Sequence, residues 1–256
     1  MNTAYDTMLS MISAVILTHN SEQTLIPTLE SLSWSDERIV IDDESIDKTV
    51  VIAKKFKTDI FTHRVAGDFA AQRNFGLSKA KGDWVLFIDS DEIVTKELAE
   101  EIQFAVSARE GYYIKRNDYM WGRELKHGET ANVKLLRLAK KDAGSWTRPV
   151  HEVWMVEGEI GQLTSPLLHY PHPNVAQFLE EINTYSSLNA QYLYSQKVRA
   201  NWLDILAYPA AKFFRNYFYH MGFLDGTAGV IAAIMMSFHS FLTRAKLYQA
   251  WNRSHL

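Results

Sequence analysis

Residues 84–93 read WVLFIDSDEI, an apolar run that ends in a cluster of carboxylates. The first five residues suit a strand that is buried on both faces. Asp89, Asp91 and Glu92 follow within four positions. Two carboxylates separated by one residue at the end of a strand repel each other unless a cation lies beside them. The stretch therefore predicts a core strand whose carboxyl end holds a cation or a charged ligand.

The segments around this stretch alternate between strand and helix patterns, which is typical of right-handed crossovers and a mostly parallel sheet. We expect each helix to be about 10–13 residues long. The predicted strands cover residues 11–19, 38–43, 59–65 and 83–89. The first predicted helix starts at a cap formed by Asn20 or Ser21, and the second starts at Asp47. The third runs from Asp68 to about Ala80, and the fourth runs from a cap formed by Thr95 to about Ser107.

The pattern changes after Gly111, where strand-like segments have shorter connections. These segments cover residues 112–118, 133–140 and 151–158. Pro171 and Pro173 precede a helical pattern that starts at about Val175. We therefore expect an α/β protein with a Rossmann-like, mostly parallel but mixed sheet, helices on its faces and a helical C-terminal extension.

Composition excludes several classes of protein. The chain has no cysteine, which excludes disulfides, zinc–thiolate sites and thiol catalysis. Its formal net charge of −3 does not favour nucleic-acid binding. Glycine-rich phosphate loops are missing, and Met155 stands where the second histidine of an H-E-x-x-H zinc motif would be. The first ten residues show no secretory signal, so we expect a cytoplasmic chain. Because Met8 or Met11 could be the natural start, we also expect residues 1–10 to be disordered.

Three predicted strands end in polar residues. The polar segments are residues 18–20, 42–44 and 89–92. Each could be a helix cap or a loop on its own. Because ligands of open α/β sheets bind outside the carboxyl ends of the strands, their coincidence predicts a ligand site at that edge.

These motifs resemble a known family. The segments VILTHNSEQTLIPTLESL, IVIDDESIDKT and AAQRNFGLSKAKGDWVLFIDSDE contain, in order, a Thr-x-Asn strand end, an Asp-Asp-x-Ser-x-Asp loop and an Asp-x-Asp motif. This combination resembles the nucleotide-sugar half of family 2 glycosyltransferases, which have the GT-A fold. GYYIKRNDYMWGRELKHG, Pro149–Glu152 and GFLDGTAG extend the likeness to the lipopolysaccharide-core glucosyltransferase-like branch. TANVKLLRL departs from that branch, so the resemblance gives the class of acceptor but not the specificity within that class.

The resemblance implies a division of the chain. It makes residues 11–174 a catalytic domain and residues 175–256 a helical extension that could associate with a membrane. Within the catalytic domain, residues 11–110 would be the nucleotide-sugar half and residues 111–174 the acceptor half.

The resemblance also implies roles for the polar residues at the strand ends. The residues implied to line the uracil and ribose pocket are Thr18, Asn20, Asp42 and Asp43. Asp91 is implied to ligate a divalent metal, Mg²⁺ or Mn²⁺, with Asp89 facing the ribose or the metal and His151 as a further metal ligand or donor-orienting group. Arg73 would reach the diphosphate as a fixed cation; the alternative is an ordinary surface arginine.

Glycosyl transfer with inversion needs a general base on the face opposite the leaving group. Glu152, in the Pro-Val-His-Glu element, is the candidate base, and Asp118 is its rival. The alternative for Glu152 is an ordinary surface carboxylate.

The implied reaction is transfer of a hexose from a UDP-sugar to a glycolipid or lipopolysaccharide-core type acceptor. Glucose is the hexose we expect. A polysaccharide-precursor transferase with a different sugar is one alternative, and an inactive nucleotide-binding scaffold at the membrane is another. A nucleotidyltransferase is disfavoured by the missing phosphate loop. The sequence does not indicate the oligomeric state.

The C-terminal segment is basic, aromatic and partly apolar. Residues 199–256 carry a net charge of +4 and 12 of the 32 aromatic residues. Residues 226–243 contain no charged side chain over 18 positions, near the lower limit for a membrane span. We expect peripheral binding to anionic lipid on the inner face of the cytoplasmic membrane, driven by aromatics close to Lys212 and Arg215. A spanning helix and a soluble subdomain or dimer interface are the alternatives.

Overall fold

The computed structural model describes residues 10–106, 108–131 and 133–253. The predicted disorder of residues 1–10 therefore falls almost wholly outside the described residues. The chain divides into two compact units. The first unit consists of the described residues up to Lys115 and of Lys134–Leu167. The second unit consists of Arg116–Val133 and the described residues from Leu168 onward. This division differs from the predicted one, which had boundaries at residues 111 and 175, because Arg116–Val133 groups with the C-terminal helices.

The first unit alternates strands and helices as predicted up to the helix that begins at Lys96, except that an unpredicted three-residue strand precedes that helix. Its strands up to that point are β1 Ile12–Thr18, β2 Glu37–Asp42, β3 Asp59–Thr62, β4 Trp84–Asp89 and β5 Glu92–Val94. Its helices are α1 Leu25–Ser31, α2 Thr49–Lys55, α3 Phe69–Lys79 and α4 Lys96–Ala105. The later strands, some of which lie partly or wholly in the second unit, are β6 Gly111–Met120, β7 Arg123–Glu124, β8 Val133–Lys140, β9 Gly144–Thr147, β10 Val153–Val156, β11 Ile160–Gln162 and β12 Leu167–His169.

The sheet is mixed, and its strand order is β3-β2-β1-β4-β8-β6-β12-β5. β1 pairs in parallel with β2 on one side and with β4 on the other, and β8 then runs antiparallel to β4. In this register Thr18 lies opposite Asp42, and Leu17 lies opposite Asp89. The carboxyl ends of β1, β2 and β4 therefore meet at one edge, as predicted from the polar segments.

The central strands are buried on both faces. In β4, Trp84, Leu86 and Ile88 belong to one hydrophobic cluster, while Val85 and Phe87 belong to a second. Successive strand residues point to opposite faces, so a continuous apolar run is what a sheet covered by helices requires.

One glycine brings a helix close to the sheet. A Cβ atom added to Gly76 of α3 would lie 2.7 Å from the Val15 side chain of β1. Real Cβ atoms do not approach this closely, so only glycine allows α3 to pack at this distance. The helix in turn carries Arg73 toward the edge where the polar strand ends meet.

Several local predictions need correction. α1 and α2 have seven residues each and are shorter than expected. α1 begins after Thr24, so the predicted cap at Asn20 or Ser21 was wrong. Those two residues instead turn the chain out of β1. The predicted strand at residues 151–158 is also too long, because β10 begins at Val153 and pairs with β9 in a separate two-stranded sheet.

The second unit is mainly helical after β12. It contains α5 Val175–Ser195, α6 Trp202–Phe214 and α7 Gly226–Arg253. A π-helical turn over Arg215–Tyr219 and a short 3₁₀ helix over Gly222–Asp225 connect α6 to α7. The helical pattern predicted from Val175 thus starts where α5 starts. Phe178 and Ile182 of α5 pack with Met235 of α7 in a small apolar core.

Candidate functional site

Thr18 and Asp42 form a buried polar pair where β1 and β2 end. The exposed fractions are 3% for Thr18 and 2% for Asp42. The Thr18 hydroxyl donates to Asp42 Oδ1 at 3.1 Å, and the Ser45 backbone N–H donates to Asp42 Oδ2 at 2.9 Å. The pair therefore ties the loop after β2 to the end of β1, within the predicted nucleotide pocket.

Asn20 and Asp43 organise the loops on either side of this pair. Asn20 has a positive φ of 49°, which asparagine tolerates better than most residues. Its side-chain oxygen accepts the Ile46 N–H at 2.9 Å. Asp43 Oδ1 accepts the Val65 N–H at 2.9 Å. Both predicted pocket residues thus shape the loops that surround the strand ends.

Arg73 links the end of β4 to the His-Glu element. Its Nε donates to Glu152 Oε1 at 2.8 Å, and its Nη2 donates to Asp89 Oδ1 at 3.0 Å. Its guanidinium also lies over the Trp146 ring, 4.7 Å from the centroid. Arg73 is only 5% exposed, so the alternative of a surface arginine was wrong. The side chain of Glu152 is 17% exposed and so is not an ordinary surface carboxylate either.

Arg137 is a second buried cation, and the sequence analysis missed it. It lies in β8, is 5% exposed, and binds both oxygens of Asp89. It also contacts Glu92 Oε1 at 3.4 Å, while Glu92 Oε2 accepts the Asp89 N–H at 2.9 Å. Burial acts to lower the pKa of Arg137, but the Asp89 and Glu92 charges outweigh it and raise that pKa. The signal in the sequence was an arginine inside the apolar run LLRLA.

The protein itself places two cationic groups beside the carboxylates of residues 89–92. Two guanidinium groups contact Asp89, and one of them also reaches Glu92. One guanidinium nitrogen of each arginine, Arg73 Nη1 and Arg137 Nε, is buried without a hydrogen-bond partner. Asp89, Glu92 and Glu152 outnumber the two arginines that they contact, so this cluster carries a formal net charge of −1 and still holds two spare buried donors.

The predicted metal set is not assembled as a protein-held site. Within the described residues, no group of three or more His, Asp or Glu side chains is arranged to hold a metal ion. Both oxygens of Asp89 already accept hydrogen bonds from arginine, and His151 is exposed on a backbone with φ of 56°. Asp89 and His151 therefore do not fit a three-ligand site with Asp91.

Asp118 has a different environment, in the second unit. It is 1% exposed, accepts a hydrogen bond from His169 Nδ1 at 2.8 Å, and pairs with Arg116 Nε at 2.9 Å. Burial acts to raise the pKa of Asp118, but the hydrogen bond from His169 and the charge of Arg116 outweigh it and lower that pKa. This buried, doubly paired carboxylate fits a structural role better than that of a general base.

Comparison with known proteins gives the family. The family model described as "Glycosyl transferase family 2" matches residues 13–151, more than half of the chain. The chain therefore belongs to glycosyl transferase family 2, and it is a glycosyltransferase. The matched range includes all three strand-end motifs, Arg73, Arg137 and the His151 position. The predicted family, enzyme class and GT-A type fold are confirmed.

Individual relatives and structures are similar over most of the chain. A lipopolysaccharide core biosynthesis glycosyltransferase, LpsC of Rhizobium meliloti, is 29% identical over 93% of this chain and 92% of its own length. An uncharacterized glycosyltransferase of Rickettsia conorii is 28% identical over 93% of this chain and 90% of its length. The S. aureus TarS 1–349 structure in complex with UDP-GlcNAc aligns with a TM-score of 0.48 and 14% identity, covering 95% of this chain and 92% of that one.

Proposed function

We propose that the protein transfers a hexose from a UDP-sugar to a glycolipid or lipopolysaccharide-core type acceptor with inversion at the anomeric carbon. The observation that carries the proposal is the Arg73 bridge, which joins Asp89 of the Asp-x-Asp motif to Glu152. One guanidinium thus contacts both the strand end proposed for the donor and the carboxylate proposed as base. The name of the LpsC relative supports the acceptor class.

In this proposal Thr18, Asn20, Asp42 and Asp43 surround the uridine of the donor. Arg73 offsets the charge that develops on the leaving diphosphate, since a buried guanidinium is a fixed cation with directed donors. Glu152 takes the proton from the acceptor hydroxyl, whose oxygen then bonds to the anomeric carbon. The bond from that carbon to the diphosphate oxygen breaks, and UDP leaves on the opposite face.

A divalent metal, Mg²⁺ or Mn²⁺, is proposed only as part of the donor complex. Mg²⁺ commonly binds through one or two carboxylates and substrate phosphates rather than in an all-protein cage. Asp91 is the carboxylate proposed to hold it, because Asp89 is committed to Arg73 and Arg137. When bound, the ion would add positive charge at the diphosphate.

Asp91→Ala tests this assignment by calorimetry with UDP in the presence and absence of Mn²⁺. The metal-dependent gain in UDP affinity is expected to fall by at least about tenfold, because the variant lacks the carboxylate that would hold the ion. Asp83→Ala is the matched control, since Asp83 is an exposed aspartate just before β4. An unchanged metal-dependent gain in the Asp91 variant would remove Asp91 from the metal site.

An inactive nucleotide-binding scaffold and a transferase for another sugar or polysaccharide precursor remain the competing functions. Release of UDP measured with and without acceptor separates them from the proposal. The proposed enzyme releases UDP in an acceptor-dependent way, and a scaffold releases none. A panel of UDP-sugars in the same assay identifies the donor. If UDP-glucose gives no turnover and another UDP-sugar does, the transferred sugar is not glucose.

A further inference from the structure

Helix α6 exposes apolar side chains along its whole length. None of its 13 residues is buried. With the π-helical turn that follows, it forms a surface that we call the α6 face, made of Trp202, Leu203, Leu206, Phe214, Phe218 and Tyr219, whose exposed fractions run from 53% to 78%. Monomeric soluble proteins rarely expose apolar patches of this extent without a partner. The α6 face therefore indicates a surface that something covers.

Among the described residues, one helical segment, which includes most of α7, is long and apolar enough to span a membrane. This segment covers Gly222–Asn252 and has a mean hydropathy of 1.4. However, the polar helix α5 packs along α7, and Lys246 of α7 donates to Asn183, Ser186 and Ser187 of α5. A spanning α7 would carry these polar groups and α5 into hydrocarbon, which is costly. The packing in this unit disfavours the predicted alternative of a transmembrane helix.

The charge near α6 suits an anionic partner, but only part of it is available. Residues 197–219 carry four cationic side chains and one acidic side chain, a net charge of +3. Lys212 forms an ion pair with Glu129, and Arg199 lies over the Trp251 ring at 4.8 Å. Lys212, one of the two basic residues beside the aromatic side chains expected at the membrane, thus already has an acidic partner. Lys197, in the segment that precedes α6, and Arg215, at the C-terminal end of α6, remain exposed.

We propose that the α6 face inserts, parallel to the membrane plane, into the headgroup region of an anionic bilayer. A 13-residue helix is about 20 Å long, too short to cross a hydrocarbon core of about 30 Å. Tryptophan and tyrosine suit the headgroup level, and the exposed Lys197 and Arg215 complement anionic lipid. Insertion of apolar side chains supplies most of the attraction, with charge secondary. This surface would give the proposed reaction access to a lipid-linked acceptor.

The test is flotation of the full chain with vesicles of phosphatidylcholine and phosphatidylglycerol. Leu203→Ser combined with Leu206→Ser is expected to weaken binding at least about tenfold, because two apolar side chains no longer leave water. These side chains are 54% and 62% exposed, so the fold tolerates the change. Phe104→Ser is the matched control, an 87% exposed phenylalanine of α4 that should leave binding unchanged.

Salt separates insertion from charge attraction. Raising NaCl from about 0.1 M to about 1 M shortens the Debye length from about 10 Å to about 3 Å. We expect binding to weaken less than about tenfold over this range and to be released by carbonate. Loss of all binding at high salt would overturn the insertion proposal, and so would resistance to carbonate, which indicates a span.

The proposal would also be overturned if the chain did not float with vesicles at low salt. It would be overturned as well if the chain dimerised through the α6 face and did not bind vesicles. Sedimentation of the wild-type and Leu203→Ser/Leu206→Ser proteins without lipid detects such a dimer. Vesicle binding requires no turnover, so its failure is distinguishable from failure of the proposed reaction.

Discussion

Glu152→Gln is expected to reduce turnover by about 10²–10⁴ while UDP affinity stays within a few-fold. Glutamine keeps an oxygen that can accept the hydrogen bond from Arg73 Nε, which is 2.8 Å long in the wild-type protein. The side chain loses the negative charge that accepts a proton from the acceptor hydroxyl. Turnover measured as acceptor-dependent UDP release, alongside calorimetry with UDP, separates the chemical step from donor binding.

Glu157→Gln is the matched control for this experiment. Glu157 follows β10 and is exposed, so its substitution should leave turnover and affinity unchanged. Near-normal turnover in the Glu152 variant would contradict the assignment and return Asp118 to consideration as the base. A parallel fall in turnover and UDP affinity would instead make Glu152 a donor-positioning residue that acts through Arg73.

Arg137→Met is expected to lower the free energy of unfolding by about 3–5 kcal/mol, because it removes one partner of a buried ion network. Asp89 and Glu92 lose a shared guanidinium, and Glu92 is 0% exposed. UDP affinity should also fall at least about tenfold, since Asp89 loses one of the arginines that orient it. Urea unfolding followed by circular dichroism measures the first effect, and calorimetry with UDP the second.

Lys134→Met is the matched control on the same strand, because Lys134 is exposed in β8. Its effect should stay within about 0.5 kcal/mol. Should Arg137→Met fail to fold, Arg137→Lys keeps the charge and reports UDP affinity in a folded chain. Adding Glu92→Gln to Arg137→Met should recover at least about 1 kcal/mol, because the uncompensated carboxylate is gone. An Arg137→Met cost as small as that of Lys134→Met would contradict the network.

Local pattern in the sequence was enough to predict the main strands and the site edge. An apolar run of five residues followed by carboxylates predicted β4, which spans Trp84–Asp89. Alternation of strand and helix predicted a mostly parallel arrangement of β1, β2, β3 and β4, and their pairs are parallel. These features depend on side-chain periodicity over fewer than ten residues, which the sequence displays directly.

Helix lengths and caps were predicted less well. α1 and α2 have seven residues each and are shorter than predicted, and Thr24 rather than Asn20 or Ser21 precedes α1. Asn20 instead bonds to Ser45 and Ile46 in the loop after β2, and the Ser21 N–H bonds to Thr49 at the start of α2. Asparagine and serine favour caps and turns alike, so the local pattern could not distinguish a cap from a loop contact.

The sequence by itself determined the family, the sheet core and which polar residues end its strands, because each depends on residues close together along the chain. Only the tertiary structure decided their partners. Arg73 reaches Glu152 across 79 positions, and Arg137 reaches Asp89 across 48. Strand pairing brings these groups together, and burial makes their charges dependent on each other. No periodicity encodes that pairing, which is why the sequence predicted a cation beside Asp89 but not the two arginines that contact it.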